Sequence, residues 1–160
     1  MSLPEDIYTQ RILELAAAIP RTTRLLGPQA SATAHSKLCG STVSIDLSMD
    51  GDVVTEYGQT VKACLLGQSA ASVMGREIVG SSTDELRAVG AAMRQMLKQG
   101  GPPPSGKWTD LAVLEPVRDY RARHASTLLV FDAVEDAIGQ IEARRAAGHG
   151  ETHANQASEA

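Results

Sequence analysis

The sequence predicts an α+β domain in which helices pack on one face of a small antiparallel sheet. A helix-like segment opens the chain, two strand-like segments joined by Asp50-Gly51 follow, and helical periodicity returns after residue 64. A chain of 160 residues is long enough to bury one sizeable core. We therefore predict one domain over residues 1–147 and a disordered tail over residues 148–160, which hold little apolar surface to bury.

The first predicted helix covers residues 2–18. Ser2 and Glu5 have the spacing of a capping box, and Pro20 would stop the helix. Residues 21–38 are rich in Thr, Ser, Ala and Gly and show no clear periodicity, so we predict a loop that leads to the first cysteine.

A β-hairpin is predicted from residue 42 onward. Apolar side chains occupy every second position at its start, namely Val43, Ile45, Leu47 and Met49. This alternation is typical of a half-buried strand. Asp50-Gly51 has the chemistry of a tight hairpin turn, and residues 53–64 would form the return strand.

Helices are predicted for most of the remaining chain. Residues 65–79 combine small and apolar side chains at helical spacing. Ser82 and Glu85 form a second capping-box pattern before an amphipathic helix that stops at residues 100–104, and a surface loop is expected around Trp108. The last helix is expected from about residue 122 to residue 147. Its apolar face would comprise Leu128, Phe131, Val134, Ile138 and Ile141.

Composition and motifs narrow the possible functions. The net charge is −4 and the sequence has no basic patch with interleaved aromatic residues, which argues against nucleic-acid binding. It has no apolar run of membrane-spanning length and no basic leader before an apolar stretch, so we expect a cytoplasmic protein that binds no membrane. It also has no phosphate-binding glycine loop, nucleophile elbow or helix with paired metal-binding histidines, so we do not expect an enzyme.

The two cysteines, Cys39 and Cys64, are the candidate functional residues. Antiparallel pairing of the hairpin would bring the start of its first strand beside the end of its second, and so bring the two thiols together. Cys64 also precedes a predicted helix, whose free N–H groups favour a thiolate. In a reducing compartment such cysteines are metal ligands, reactive thiols or packing residues before they are a disulfide. Because zinc and binuclear clusters take four ligands, two thiols alone leave ligation and packing both open.

The order of these pieces resembles the IscU/SufU/NifU N-terminal family of iron–sulfur cluster assembly scaffolds, over about residues 4–145. The resemblance is carried by the hairpin and by "LCGS" at 38–41, "ACLLGQSAAS" at 63–72 and "PVRDYRARHASTLLVFDAVEDAI" at 116–138. In that family a Cys-Gly-Asp, a second cysteine before a helix rich in Ala and Ser, and a third cysteine at the start of the last helix surround a cluster or a zinc ion. The resemblance therefore implies an IscU-like fold and a metal site at one end of the molecule.

Carried over by position, the resemblance places Cys39 and Cys64 at the first and second cysteine positions, and Ser41 at the aspartate position. The third cysteine is absent: one alignment puts Ser126 in its place, and another retains the neighbouring His124 of the family pattern. A neutral hydroxyl is a poor substitute for a thiolate. His124 has real ligand capacity, so a Cys/Cys/His set could hold zinc, iron or a labile cluster, while a structural role at the helix start stays equally open.

Three functions follow from the resemblance. The leading hypothesis is a scaffold or carrier that receives iron and sulfide and passes a cluster on, with a cysteine desulfurase and cluster acceptor proteins as implied partners. The second is a SufU-like, zinc-dependent acceptor of persulfide sulfur, in which Cys39 or Cys64 is the nucleophile. The third is a metal-free interaction module of the assembly machinery, which the loss of two ligand positions favours.

Overall fold

In the described part of the chain, three antiparallel strands and four α-helices make up the fold. The computed structural model describes residues 9–38 and 40–159, with side chains described as far as residue 148. The strands are β1 (Ala30–His35), β2 (Thr42–Asp50) and β3 (Val53–Lys62), in the spatial order β1-β2-β3. The helices are α1 (Gln10–Ala17), α2 (Leu65–Glu77), α3 (Thr83–Gln99) and α4 (His124–Glu159), with 3-10 helices at Gly106–Asp119 and Arg121–Arg123. The predicted α+β class is confirmed.

The core lies between one face of the sheet and the helices. Val43, Ile45 and Leu47 of β2 point into it and are fully buried. α4 contacts β1 and β2, α2 contacts β3, and α1 and α3 pack on the outside of this layer. The five residues predicted for the apolar face of α4 are all buried, so the predicted face is confirmed. Within the described ranges, no helix combines the length and the hydropathy that a membrane-spanning segment needs.

The predicted hairpin is confirmed. β2 pairs with β3 in antiparallel register from Thr42 opposite Lys62 to Asp50 opposite Val53. Gly51 turns the chain between them with φ +63°, a conformation that glycine adopts without steric cost. The alternation of apolar residues in β2 therefore fixes both the strand and the face that it buries.

Strand β1 corrects the prediction of a loop over residues 21–38. β1 pairs with β2 along its whole length, from Ala30 opposite Leu47 to His35 opposite Thr42. Ala30 and Ala32 are buried while Ser31 and Thr33 are exposed, so the strand has the expected period of two. The prediction was wrong because small alanines carry the buried positions, and alanine signals strand structure only weakly.

Helix α1 and the segment around Trp108 also differ from the prediction. α1 begins at Gln10, where the Thr9 hydroxyl accepts a hydrogen bond from the Ile12 N–H at 3.3 Å; the predicted capping box at Ser2 and Glu5 lies outside the described residues. The surface loop expected around Trp108 is a 3-10 helix that buries this side chain together with Leu111, Leu114 and Val117. Prolines before this helix and within it masked its apolar spacing.

Helix α3 matches its predicted ends. The Ser82 hydroxyl caps its first turn by accepting from the Glu85 N–H at 3.1 Å, and Gly100 ends it in the left-handed conformation at φ +68°. Helix α4 continues as helical backbone to Glu159, and disorder of the tail over residues 148–160 stays a prediction. Residues 148–159 contain Ala, Glu and Gln and no proline, so they can extend an existing helix without a new nucleation step. The domain boundary at residue 147 stays a prediction.

The outer face of the sheet is covered by the segment between α1 and β1, and Asp46 holds this segment in place. The Asp46 carboxylate is buried and accepts from Arg24 Nε at 2.6 Å, Arg24 Nη2 at 2.8 Å, Ser31 Oγ at 2.6 Å and the Leu25 N–H at 3.1 Å. A Cβ at Gly58, the residue opposite Asp46 in β3, would lie 2.3 Å from the Thr23 carbonyl oxygen. The close approach of this segment therefore requires glycine at that position.

The Asp46 contacts predict an acid-dependent loss of stability. Hydrogen bonds from Arg24, and then from Ser31 and the Leu25 N–H, lower the pKa of Asp46 from 3.8 to about 2, against the opposing effect of burial. A carboxyl whose pKa is lower in the folded state stabilises that state above its unfolded pKa, and this contribution disappears as the pH falls from about 4 to 2. We expect Asp46→Asn to lower the free energy of unfolding by about 2 kcal/mol at pH 7 and by much less at pH 2. Urea unfolding at both pH values measures this difference, and an equal loss at both would contradict the charged role.

Candidate functional site

The site lies at one end of the sheet, where β2 begins. Thr42, the first residue of β2, is paired with His35 of β1 on one side and with Lys62 of β3 on the other. The turn that enters β2 and the residues that follow β3 are therefore at the same end of the sheet. This is the neighbourhood that the hairpin register predicts for the segments around the two cysteines.

The turn of residues 36–41 connects β1 to β2 and contains the first cysteine position. The Ser36 N–H donates to the Ser41 carbonyl and the Gly40 N–H donates to the Ser36 carbonyl, both at 2.9 Å. Gly40 has φ +71°, which makes glycine the favoured residue beside the cysteine. Cys39 itself lies outside the described residues, while its neighbour Leu38 is exposed over 78% of its surface.

Cys64 is the N-cap residue of α2, as its predicted position before a helix requires. Its backbone is extended, with φ −67° and ψ 171°, and its carbonyl accepts from the Gln68 N–H at 2.9 Å. The Gln68 side chain donates to the Ala63 carbonyl at 2.7 Å, which ties the end of β3 to the first turn of α2. The Cys64 side chain makes no capping hydrogen bond to the helix and is a half-buried free thiol.

Two serine hydroxyls join Cys64 in one chain of contacts. Ser126 Oγ lies 3.2 Å from Cys64 Sγ, and the same hydroxyl donates to Ser41 Oγ at 3.4 Å. Both serines are buried, Ser126 almost completely. The structure thus brings together three of the sequence-predicted site residues, which come from the turn before β2, the start of α2 and the start of α4.

Gly67 makes this convergence possible, and the sequence alone did not single it out. A Cβ at Gly67 would lie 2.8 Å from Ala63 Cβ, 2.9 Å from the Ser126 carbonyl oxygen and 3.2 Å from Ser126 Oγ. The first turns of α2 and α4 therefore approach more closely than any larger residue would permit. The run of small residues at 63–72 was the available signal, because small side chains at helical spacing allow close helix packing.

His124 is placed differently from the two serines. Its Nε2 lies 3.1 Å from the carbonyl oxygens of both Val117 and Arg118, so this nitrogen carries the proton and donates to the end of the preceding 3-10 helix. Residues two apart on an α-helix are about 200° apart around its axis, so His124 and Ser126 point in different directions. Its contacts are those of a residue that fixes the start of α4, and its role as a ligand stays a prediction.

His35 is the other histidine whose side chain the structure describes. His35 is exposed at the end of β1, in the strand that replaces the predicted loop. Among the side chains described, which exclude Cys39, no group of three or more His, Cys, Asp and Glu residues is placed to hold a metal ion. Ser41 and Ser126, for which a role at two ligand positions stays a prediction, carry neutral hydroxyls that are hydrogen-bonded within the protein.

Comparison with known proteins gives three informative matches. The N-terminal part of a nitrogen-fixing NifU-like protein from Brucella abortus has a crystal structure that superposes with a TM-score of 0.86, at 56% identity, over 88% of this chain and 98% of that one. The iron–sulfur cluster assembly scaffold protein IscU of Thermotoga maritima is 21% identical over 84% of this chain and 94% of its own length. The zinc-dependent sulfurtransferase SufU of Bacillus subtilis is 21% identical over 86% of this chain and 93% of its own. No family model matches the sequence.

The close contact at Gly67 predicts a large difference between two glycine substitutions. Gly67→Ala forces α2 and α4 apart and should lower the free energy of unfolding by about 1–3 kcal/mol. Gly139→Ala is the matched control: a Cβ added at this glycine of α4 would have nothing within 4 Å, so the change should raise the free energy by about 0.5–1 kcal/mol through helix propensity. Urea unfolding followed by circular dichroism measures both, and equal effects would contradict the close packing.

Proposed function

Because the chain belongs to the IscU/SufU/NifU family of iron–sulfur cluster assembly scaffold proteins, we propose that it holds iron or an iron–sulfur cluster through Cys39 and Cys64 and passes it on. One observation carries the proposal. The side chains of Cys64, Ser41 and Ser126 come from three segments of the chain and converge at one end of the sheet. The resemblance to the family assigns these three residues to ligand positions. A site that has fewer thiolate and carboxylate ligands than the family pattern suits weak or transient binding of iron or of an iron–sulfur cluster.

The chemistry of the site follows from its donors. Thiolates are the soft ligands that iron–sulfur clusters and zinc select, and Cys64 presents a half-buried free thiol at the N-cap of the 13-residue helix α2. The serine hydroxyls are neutral and already hydrogen-bonded: Ser126 contacts the Cys64 sulfur, Ser41 contacts Ser126, and coordination is left to thiolates. A cluster that is bound by few protein thiolates is released to an acceptor more easily, because fewer metal–sulfur bonds must be exchanged.

The proposed role is one of binding and transfer, without a catalysed reaction on a small-molecule substrate. The scaffold relatives imply partners in cluster assembly, and we propose a cysteine desulfurase as the sulfur donor and cluster-requiring proteins as acceptors. The thiols must stay reduced for this role, which is consistent with the cytoplasm as the place of action.

Two other functions each have an observation in their favour. The similarity to a zinc-dependent sulfurtransferase favours a zinc-bound acceptor of persulfide sulfur, with Cys64 or Cys39 as the nucleophile. The serines at two ligand positions favour a metal-free interaction module of the same machinery. Stoichiometric zinc in the protein as purified would identify the first. A double cysteine variant that still supports cluster assembly in cells, with no metal in the protein, would identify the second.

Anaerobic reconstitution tests the scaffold role directly. The protein is incubated with ferrous iron and sulfide, desalted, and assayed for bound iron, acid-labile sulfide and sulfur-to-iron charge-transfer absorbance. We expect all three signals in the unchanged protein and a loss of at least tenfold in Cys39→Ser and in Cys64→Ser. His35→Ala, an exposed histidine at the same end of the sheet, is the control that should retain full signals. Signals that survive in both cysteine variants would exclude the proposed ligands.

The geometry of His124 predicts that this residue supports the fold more than the cargo. His124→Ala leaves the carbonyls of Val117 and Arg118 without their donor and should lower the free energy of unfolding by about 1–3 kcal/mol. The iron bound per folded chain should stay unchanged, as measured below the unfolding transition. Loss of iron with full stability would instead make His124 a ligand.

A further inference from the structure

Two basic side chains, Lys98 and Arg121, share an open cavity beside the start of α4. The cavity has a volume of about 380 Å³, and its other lining residues are His124 and Ala125. Lys98 lies in the last turn of α3, and Arg121 begins the short 3-10 helix that precedes α4. None of the four lining residues is acidic. The lining therefore concentrates positive charge in one concave part of the surface.

Arg121 differs from most other arginines of the chain, because it has no partner among the described residues. Of the eleven arginines, six pair with a carboxylate and three others donate to a backbone carbonyl. The two that remain are Arg121 and Arg123, and of these only Arg121 lines the cavity. Lys98 likewise has no hydrogen bond or ion pair within the part of the chain that the structure describes. Both cations of the cavity are therefore available to a ligand.

The charge in the cavity indicates which kind of ligand fits it. Two like charges in one cavity repel each other, and an anion that binds between them removes this repulsion. A guanidinium binds phosphate oxygens bidentately, and an ammonium adds a compact second charge. A phosphate monoester carries a charge of about −1.5 to −2 at pH 7, so it balances both cations, whereas a carboxylate with one charge would leave one cation unbalanced.

The wall formed by His124 adds a fixed polar group to the cavity. This side chain is 8% exposed, and its Nε2 donates to the Val117 and Arg118 carbonyls, so the imidazole ring is held in one orientation. The other ring nitrogen, Nδ1, has no hydrogen-bond partner among the described residues and can accept a hydrogen bond from a hydroxyl group. Small-molecule pockets have volumes of about 300–1,000 Å³, so the cavity has room for a phosphate group and part of the molecule that carries it.

We propose that this cavity binds a small, hydroxyl-bearing phosphate monoester, with Lys98 and Arg121 on the phosphate oxygens and His124 Nδ1 on a hydroxyl group. The site takes no metal ion, and the inference does not depend on the proposed function. A bound monoester would restrain the first turn of α4, which also carries Ser126 to its contact with Cys64. The ligand would therefore act on the neighbourhood of Cys64 without touching the sulfur.

Calorimetric titration at constant ionic strength tests the site with two probes, inorganic phosphate and glycerol 3-phosphate. We expect saturable binding of both, and we expect the ester to bind about three- to tenfold more tightly because its hydroxyl reaches His124 Nδ1. Equal affinities would overturn the role of His124. Absence of saturable binding of either probe would overturn the proposal, and it would leave the capacity of the protein to bind iron untouched.

Variants that remove one charge each locate the binding. Lys98→Gln and Arg121→Gln should each weaken the binding of glycerol 3-phosphate at least about tenfold, since each removes a charge-assisted contact. Arg123→Gln is the matched control, because it removes the same charge two residues away from a side chain that does not line the cavity. Salt screens its charge, so its effect should stay below about threefold. Equal losses in Arg121→Gln and Arg123→Gln would show diffuse attraction to a basic surface and would overturn the site.

Thermal unfolding gives a second measurement that also checks the folding of the variants. A ligand that binds the folded state raises the unfolding temperature, so glycerol 3-phosphate should raise it in the unchanged protein and in Arg123→Gln. The same concentration should have little effect on Lys98→Gln and Arg121→Gln. Without ligand, both cavity variants should unfold at the temperature of the unchanged protein or slightly above it, because they relieve the repulsion in the cavity. An equal rise with ligand in all four proteins would contradict the proposal.

Discussion

The pairing of β2 with both of its neighbours at Thr42 is the constraint on which the site depends. His35 lies opposite Thr42 on one side and Lys62 on the other, so the turn of residues 36–41 and the start of α2 must lie at the same end of the sheet. A one-residue slip of either pairing would turn the buried face of β2 outward and separate these two segments. The burial of Val43, Ile45 and Leu47 therefore stabilises the geometry around Cys64 as well as the core.

α4 adds the third side of the site, and Gly67 determines how close it comes. With a larger residue at position 67, Ser126 could not lie within hydrogen-bonding distance of Cys64 Sγ. In the family pattern this close approach would serve coordination by a third cysteine. In this chain it places a serine hydroxyl 3.2 Å from the Cys64 sulfur. Under the proposed function, this substitution of a hydroxyl for a thiolate would weaken the binding of a cluster.

The sequence predicts those parts of the fold whose signals are local. The hairpin and the ends of α3 are predicted correctly because their signals are local. Asp50-Gly51 forms the turn, Ser82 caps the start of α3, and Gly100 ends it in the left-handed conformation. β1 was missed because its buried residues are alanines, which become strand residues only through pairing with β2. Trp108 was placed in a surface loop because the prolines around its 3-10 helix hide the apolar spacing.

The candidate site was only partly accessible from the sequence. The cysteine and serine positions came from a resemblance to a family, whereas the contact between Ser126 and Cys64 joins residues 62 apart and needs the packed structure. Nothing in the sequence gives the direction in which His124 points, because that depends on the 3-10 helix before it.

X-ray absorption at the iron edge of the loaded protein tests the assignment of ligands most directly. A first shell of sulfur alone, at about 2.3 Å, is the result expected for thiolate ligands. Oxygen or nitrogen neighbours at about 2.0–2.1 Å would show serine or histidine on the metal and would contradict the account.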